Sequence, residues 1–232
     1  MALCWICNKE EANSREHMSK RSDLKAVLGA TGALYLHTDE RRNVKVQSLN
    51  SKKIKFAASL CGTCNSTLTQ PHDLAWERLS DALRGRKPEL RPGDIVRLDR
   101  IFPYGTAAEM LNMHLYFVKW LGCQIVEQAI PISPGIDTMA RAILSQRAHP
   151  GIWLAFFVSG RRGVVGATKT GAARFRCEPG KFDYLCRIYS VDALDVRVRF
   201  STVKLTDDWH PSGRNRVVIG AHPEPPAGET DG

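Results

Sequence analysis

Two Cys-x-x-Cys pairs, Cys4/Cys7 and Cys61/Cys64, constrain this chain more than any other feature of its sequence. Two residues between paired cysteines let both thiolates reach one ion from a tight turn. Two such turns complete the closed tetrahedral sulfur shell that a structural Zn²⁺ prefers. The total of seven cysteines is odd, which argues against a full disulfide framework. In a reducing cytoplasm zinc ligation is the better account of the four. A redox Cys-x-x-Cys would need βαβ surroundings, and none are predicted. Cys123, Cys177 and Cys186 sit among apolar neighbours and read as small buried hydrophobes.

The periodicities place these pairs in an α+β chain with two domains and a tail, at residues 1–90, 91–221 and 222–232. In the first domain, residues 22–28 predict a short helix ended by Gly29 and Gly32. Residues 33–37, 44–47 and 53–57 predict three strands, with His37 a structural residue of the first. Residues 74–83 predict an amphipathic helix whose apolar face is Leu74, Leu79 and Leu83 with Ala75 or Trp76. A Pro-, Gly- and charge-rich stretch at 84–93 marks the boundary. Beyond it come a strand at 94–98 and a long helix at 107–128 with Met110, His114, Phe117 and Leu121 on one face. A helix at 136–146 and strands at 152–158, 182–189 and 195–201 complete a larger α+β body. The Pro- and Gly-rich end at 222–232 has the composition of a disordered tail.

Charge narrows the partners. The formal net charge is +9 over 232 residues, which favours a polyanion, nucleic acid above all. Lys20, Arg21 and Lys25 form one basic group, and Arg41, Arg42, Lys45, Lys52, Lys53 and Lys55 another. Such groups neutralise phosphates and track a backbone, and no base-reading motif accompanies them. The competing account is an ordinary solvated basic face. Arg161, Arg162 and the alternating Val196-Arg-Val-Arg199 can line a nucleic-acid groove, although that alternation is also what any half-buried strand displays. The longest apolar run, residues 151–160, is far short of the ~20 residues of a spanning helix. No export signal is visible, and a cytoplasmic protein is expected.

The order Cys4-x-x-Cys7, Glu16-His17, Cys61-x-x-Cys64-Asn65 and then a helix resembles the HNH endonuclease superfamily. Its ββα-metal core is often stapled by two Cys-x-x-Cys pairs. The likeness covers about residues 1–85 and continues through Ser66-Thr67 to Asp73 and Trp76-Glu77. It implies a small zinc-stapled ββα-metal domain before the larger α+β one. It implies a metal-dependent endonuclease acting on DNA, in defence or in a phage or mobile element. His17 would be the general base, since its ordinary pKa of about 6.5 lies near working pH. Glu16 and Asn65 would hold a catalytic Mg²⁺ or Mn²⁺, which take oxygen ligands, with His72 a weaker third ligand. Lys20, Arg21, Arg41, Arg42, Lys53 and Lys55 would bind the nucleic acid.

The chain departs from the family pattern. Glu stands where Asp is commoner, Met18-Ser-Lys-Arg21 follows the histidine instead of an Ile-Ile-Pro-like stretch, and the middle Asn that orients the histidine has no counterpart at the right spacing. Asn50 is the nearest, and it lies too far upstream. Asn65 can equally be a helix cap, and Asp73 the cap of the following helix. A non-catalytic zinc module binding nucleic acid or protein is therefore the alternative. The second domain would then bind a target or a protein partner, close a homodimer, or sense an effector. A first domain of short elements buries little apolar surface, and a bound metal makes up the difference. Chelating the zinc is expected to loosen it, read as loss of protection from proteolysis within residues 1–90.

Overall fold

A computed structural model describes residues 2–29, 34–37, 42–160, 163–173, 179–205 and 208–221. In chain order the elements are α1 (Arg21–Leu28), β1 (Leu34–Leu36), β2 (Val44–Val46), α2 (Gln70–Arg84), β3 (Ile95–Arg97), α3 (Leu98–Ile101) and α4 (Thr106–Glu127). They continue with α5 (Asp137–Leu144), β4 (Ile152–Val158), β5 (Val165–Ala173), β6 (Tyr184–Val191), β7 (Leu194–Ser201) and β8 (Arg216–Ala221). The chain is α+β, as expected. Six strands form one sheet in the order β3-β8-β4-β7-β6-β5. All of its neighbours are antiparallel except β4 and β8. β1 and β2 make a separate antiparallel pair. The expected tail at 222–232 lies outside the described residues.

α4 is the axis of the molecule. Gly105, in the left-handed region at φ 72°, turns the chain into its first turn. An amphipathic stripe predicts one buried face. Instead every residue from Met113 to Ile125 is buried, because α4 has neighbours all round. On one side Trp76 of α2 stacks on Tyr116 at 5.7 Å and meets Phe117 edge-on at 4.9 Å. Tyr189 of β6 closes the same aromatic cluster, 5.4 Å from both Trp76 and Trp120. The apolar core runs without a break from Cys4 through Trp76 and Phe117 to Ile219. It crosses the boundary expected near residue 90.

Asp23 ties three elements together from a fully buried position on α1. It accepts hydrogen bonds from Trp76 Nε1 at 2.8 Å, Ser80 Oγ at 2.7 Å and the Tyr189 hydroxyl at 2.6 Å. Arg84 supplies the counter-charge at 3.3 Å. A buried carboxylate is tolerable only with such a complement of donors.

The expected third strand at 53–57 is not regular. Lys52–Ile54 is a turn of 3₁₀ helix. Residues 14–18 and 54–60 run antiparallel through single bridges, Ser14 to Leu60 and His17 to Lys55. Between these bridges one limb advances three residues and the other five, so a continuous ladder cannot form. Backbone bonds still hold the limbs: Phe56 N–H to Glu16 O at 2.9 Å and Met18 N–H to Ile54 O at 3.0 Å.

α2 also begins earlier than predicted. Asp73 is therefore inside its first turn rather than its cap, and Leu74 faces solvent while His72, Ala75, Trp76, Leu79, Ser80 and Leu83 are buried. The alternation of β7 serves packing. Arg197 and Arg199 both pair with Asp208, Arg197 at 3.3 Å, and Arg197 also lies over the Phe157 ring at 4.8 Å. They do not line an open groove. Arg161 and Arg162 lie outside the described residues.

Gly122 carries the closest approach between α4 and the first cysteine pair. A Cβ there would sit 2.5 Å from the Trp5 ring, between Cys4 and Cys7. Gly122→Ala is expected to cost about 1–3 kcal/mol through overpacking. That is a fall in Tm of roughly 5 °C for a chain of this size, with zinc content unchanged. An unaltered melting curve would show that Trp5 does not need that seat.

Candidate metal centre and histidine site

The four predicted cysteines come together. Their sulfurs all lie within 4.8 Å of one another, and Cys7 and Cys61 are 3.9 Å apart. A tetrahedron with Zn–S bonds of about 2.3 Å needs sulfurs ~3.8 Å apart. The cluster can thus hold a metal ion such as zinc. Its surroundings suit thiolates unevenly. Burial pushes the Cys61 thiol up to about 11 and raises Cys64 further. Burial also works against Cys7, but backbone bonds at Glu10 and Lys9 outweigh it and bring that thiol down to about 7. The Cys64 amide donates to Cys61 Sγ at 3.4 Å. Four sulfurs packed this closely, three of them buried, are stable as thiolates only around a cation.

From this knuckle the chain leads into the two-limbed segment that carries Glu16 and His17. His17 is partly buried. Its Nε2 donates to the Leu49 carbonyl at 3.0 Å, which fixes the tautomer and leaves Nδ1 with its lone pair. Among the described residues Nδ1 has no hydrogen-bond partner. Burial lowers the pKa of His17 below its ordinary value. The Leu49 carbonyl opposes that shift, the charges of Lys55 and Arg21 add to it, and Glu16 opposes it. The ring is therefore neutral at pH 7. The group that holds the ring is thus a backbone carbonyl, one residue before Asn50.

Glu16 is engaged on both oxygens. Oε1 accepts the His17 amide at 3.0 Å, and Oε2 lies 2.7 Å from Lys119 Nζ. Lys119 is on α4 and wholly buried. Its ammonium also reaches Asp73 Oδ1 at 2.9 Å and Thr69 Oγ1 at 3.3 Å. Burial alone would lower its pKa, but Glu16 and Asp73 raise it well above the ordinary lysine range, so it is charged. Helical periodicity alone does not distinguish this lysine from a solvated one. Its helix neighbours Val118 and Trp120 are apolar and buried, and an isolated charge in an apolar run is the signal that was available.

Asn65 follows Cys64 in a short π-helical stretch, Cys64–Leu68, and does not act as the expected helix cap. Its Nδ2 donates to Ser14 Oγ at 2.8 Å and to Arg15 O at 3.4 Å, while Oδ1 is buried without a partner. Asn65 thus joins the strand limb two residues before Glu16. As a set, Glu16 and Asn65 do not fit a Mg²⁺ or Mn²⁺. The carboxylate is already neutralised by an ammonium, and one amide oxygen alone does not hold a hard cation. His72 is buried on α2, where its Nε2 meets Gln146 Oε1 at 3.1 Å, and it is not part of the four-cysteine group. It is a packing histidine, not a ligand.

The basic residues expected on nucleic acid divide. Arg21, Arg42 and Lys53 are exposed and Lys55 half-buried. Lys53 donates to Lys45 O at 3.3 Å. Lys20 Nζ lies 3.6 Å from Asp73 and is partly spent there. Arg41 lies outside the described residues. Among the described residues no helix is long and apolar enough to cross a membrane. Compared with protein-family models, curated proteins and solved structures, the chain has no match.

An NMR titration of His17 is expected to give a pKa below 6.5. Lys55→Ala should move it upward, since it removes a repelling charge. A value above 6.5 would mean that the ring is not held as described.

Proposed function

We propose that this chain is an endonuclease of the HNH type, hydrolysing phosphodiester bonds in DNA with His17 as general base and a zinc of purely structural role. The observation that carries this reading is the His17 ring. It is held through Nε2 by the Leu49 carbonyl, burial lowers its pKa, and it feels the charges of Lys55 and Arg21. The order of the limb bearing Glu16-His17, the returning limb, the second cysteine pair and then α2 also matches what the resemblance implies.

In this reaction Nδ1 takes a proton from a water whose oxygen attacks phosphorus. The bond to the leaving oxygen breaks, and that oxygen gains a proton from solvent. Arg21 and Lys55, whose charges act on the His17 ring, draw the phosphate in and balance the charge that builds on it in this reading. Glu16, locked to Lys119, holds the His17 amide and so fixes the backbone on which the ring is mounted. That makes Glu16 a positioning residue rather than a ligand.

One observation favours a second reading, a zinc module that binds nucleic acid without cutting it. The Lys119–Glu16 pair removes the carboxylate that a metal-dependent nuclease of this kind would use.

Plasmid nicking separates the two. With zinc-loaded protein, the wild type is expected to nick DNA. His17→Ala should lower the rate about 10²–10⁴-fold, as loss of a general base does, with zinc content intact. The acid limb of the pH–rate profile should fall below pH 6.5, because the base must be unprotonated and its pKa is depressed. Salt-sensitive binding with no cleavage at any pH, with or without added Mg²⁺ or Mn²⁺, would establish the second reading instead.

A further inference from the structure

We propose that the Lys119 ammonium is a built-in cation that stands where a divalent ion would otherwise sit between Glu16 and Asp73, so that the folded chain takes up no second metal there. This goes beyond the function proposed above, and it holds whether or not His17 turns over a substrate.

The geometry around Nζ is that of a small oxygen cage. Glu16 Oε2 lies at 2.7 Å, Asp73 Oδ1 at 2.9 Å and Thr69 Oγ1 at 3.3 Å. An ammonium has three N–H donors, and each has an oxygen here. Two carboxylates and a hydroxyl, from the Glu16 limb and the start of α2, are also the donor set that Mg²⁺ or Mn²⁺ would choose. The lysine side chain is fully buried, while those of Glu16 and Asp73 are 12% and 15% exposed. The cage therefore opens to solvent on the carboxylate side and is plugged from the α4 side.

Charge and access both disfavour exchange. Lys119 and Lys20 already balance Glu16 and Asp73, since Lys20 Nζ lies 3.6 Å from the same Asp73 oxygen. A dication entering this group would have to expel the Lys119 ammonium. That amine is fully buried where it stands, on a helix buried all round from Met113 to Ile125. Leaving it buried and unpaired costs far more than a weakly held cation returns. A lysine serving only to fill space would be replaceable by an apolar side chain without giving the cage any new property. The cation account requires a new property.

The test is a Mn²⁺ titration of the zinc-loaded full chain, followed by the electron paramagnetic resonance of free hexaaqua Mn²⁺. For the wild type the free signal should grow from the first addition. Lys119→Met should take up a single Mn²⁺ per chain, and Mn²⁺ should raise its Tm while leaving that of the wild type unchanged. Stoichiometric uptake by the wild type that is lost in Glu16→Gln would overturn the proposal. So would a folded Lys119→Met that takes up none. If Lys119→Met does not fold even with Mn²⁺, the wild-type titration with its Glu16→Gln control decides alone. None of these readouts involves cleavage, so failure here is distinct from failure of the nuclease reading.

Discussion

A charged amine that has lost all its water must be ringed by oxygen, or the charge is not sustained. Lys119 meets that condition by drawing on Glu16 from the cysteine-bearing segment and on Thr69 and Asp73 from the start of α2. Along the chain, α1, β1 and β2 separate Glu16 from α2, and β3 and α3 separate α2 from α4. The requirement of one buried ion therefore sets where the limb carrying His17 lies relative to α2 and α4. Trp120 strengthens the same junction by donating from Nε1 to Met18 O at 2.8 Å, and Glu127 accepts the Ala57 amide at 2.8 Å. Along one face, α4 thus grips both limbs of the histidine segment.

The four-cysteine cluster and α4 make complementary contributions. A metal bound by four thiolates is worth on the order of 10 kcal/mol in small zinc domains. Held here, such an ion would fix the turns at both ends of the segment but not the residues between them. α4 does the reverse, since it contacts Met18, Glu16 and Ala57, and it meets the cysteine cluster where Gly122 lies against Trp5. His17 lies between the two supports. Its ring is oriented by the Leu49 carbonyl, from the stretch that follows β2.

Much of this was readable in the sequence where spacing or periodicity is the physical cause. The cysteine pairs assemble because turn geometry alone dictates it, and α4, β4 and β7 fall close to where their hydrophobic periods put them. What was hidden depends on contacts between distant segments. The 53–57 stretch alternates like a strand, yet its partner is two residues short between bridges, so it pairs only singly. Leu74 fits an apolar helix face, yet α2 starts earlier and turns Trp76 and Ala75 inward instead. Lys119 looks like any helix-surface lysine until its helix is seen to be enclosed on all sides. Glu16 was expected to hold a divalent ion together with Asn65, and its Oε2 lies instead against the Lys119 ammonium. The identity of that cation was set 103 positions further along the chain, where no local pattern reaches.

The enclosure of α4 also governs the order in which parts of this protein can form. Synthesis delivers the chain from its amino end, so all four cysteines leave the ribosome well before residue 106 does. Zinc can close the loop between them at that point. Until α4 follows, Glu16 and Asp73 face water without their counter-ion, and Trp76 has no aromatic partner from Tyr116 or Phe117. The metal-bound segment is thus assembled early and completed late. A fragment ending at the composition boundary near residue 90 would retain its zinc ligands and lack the helix that positions its histidine.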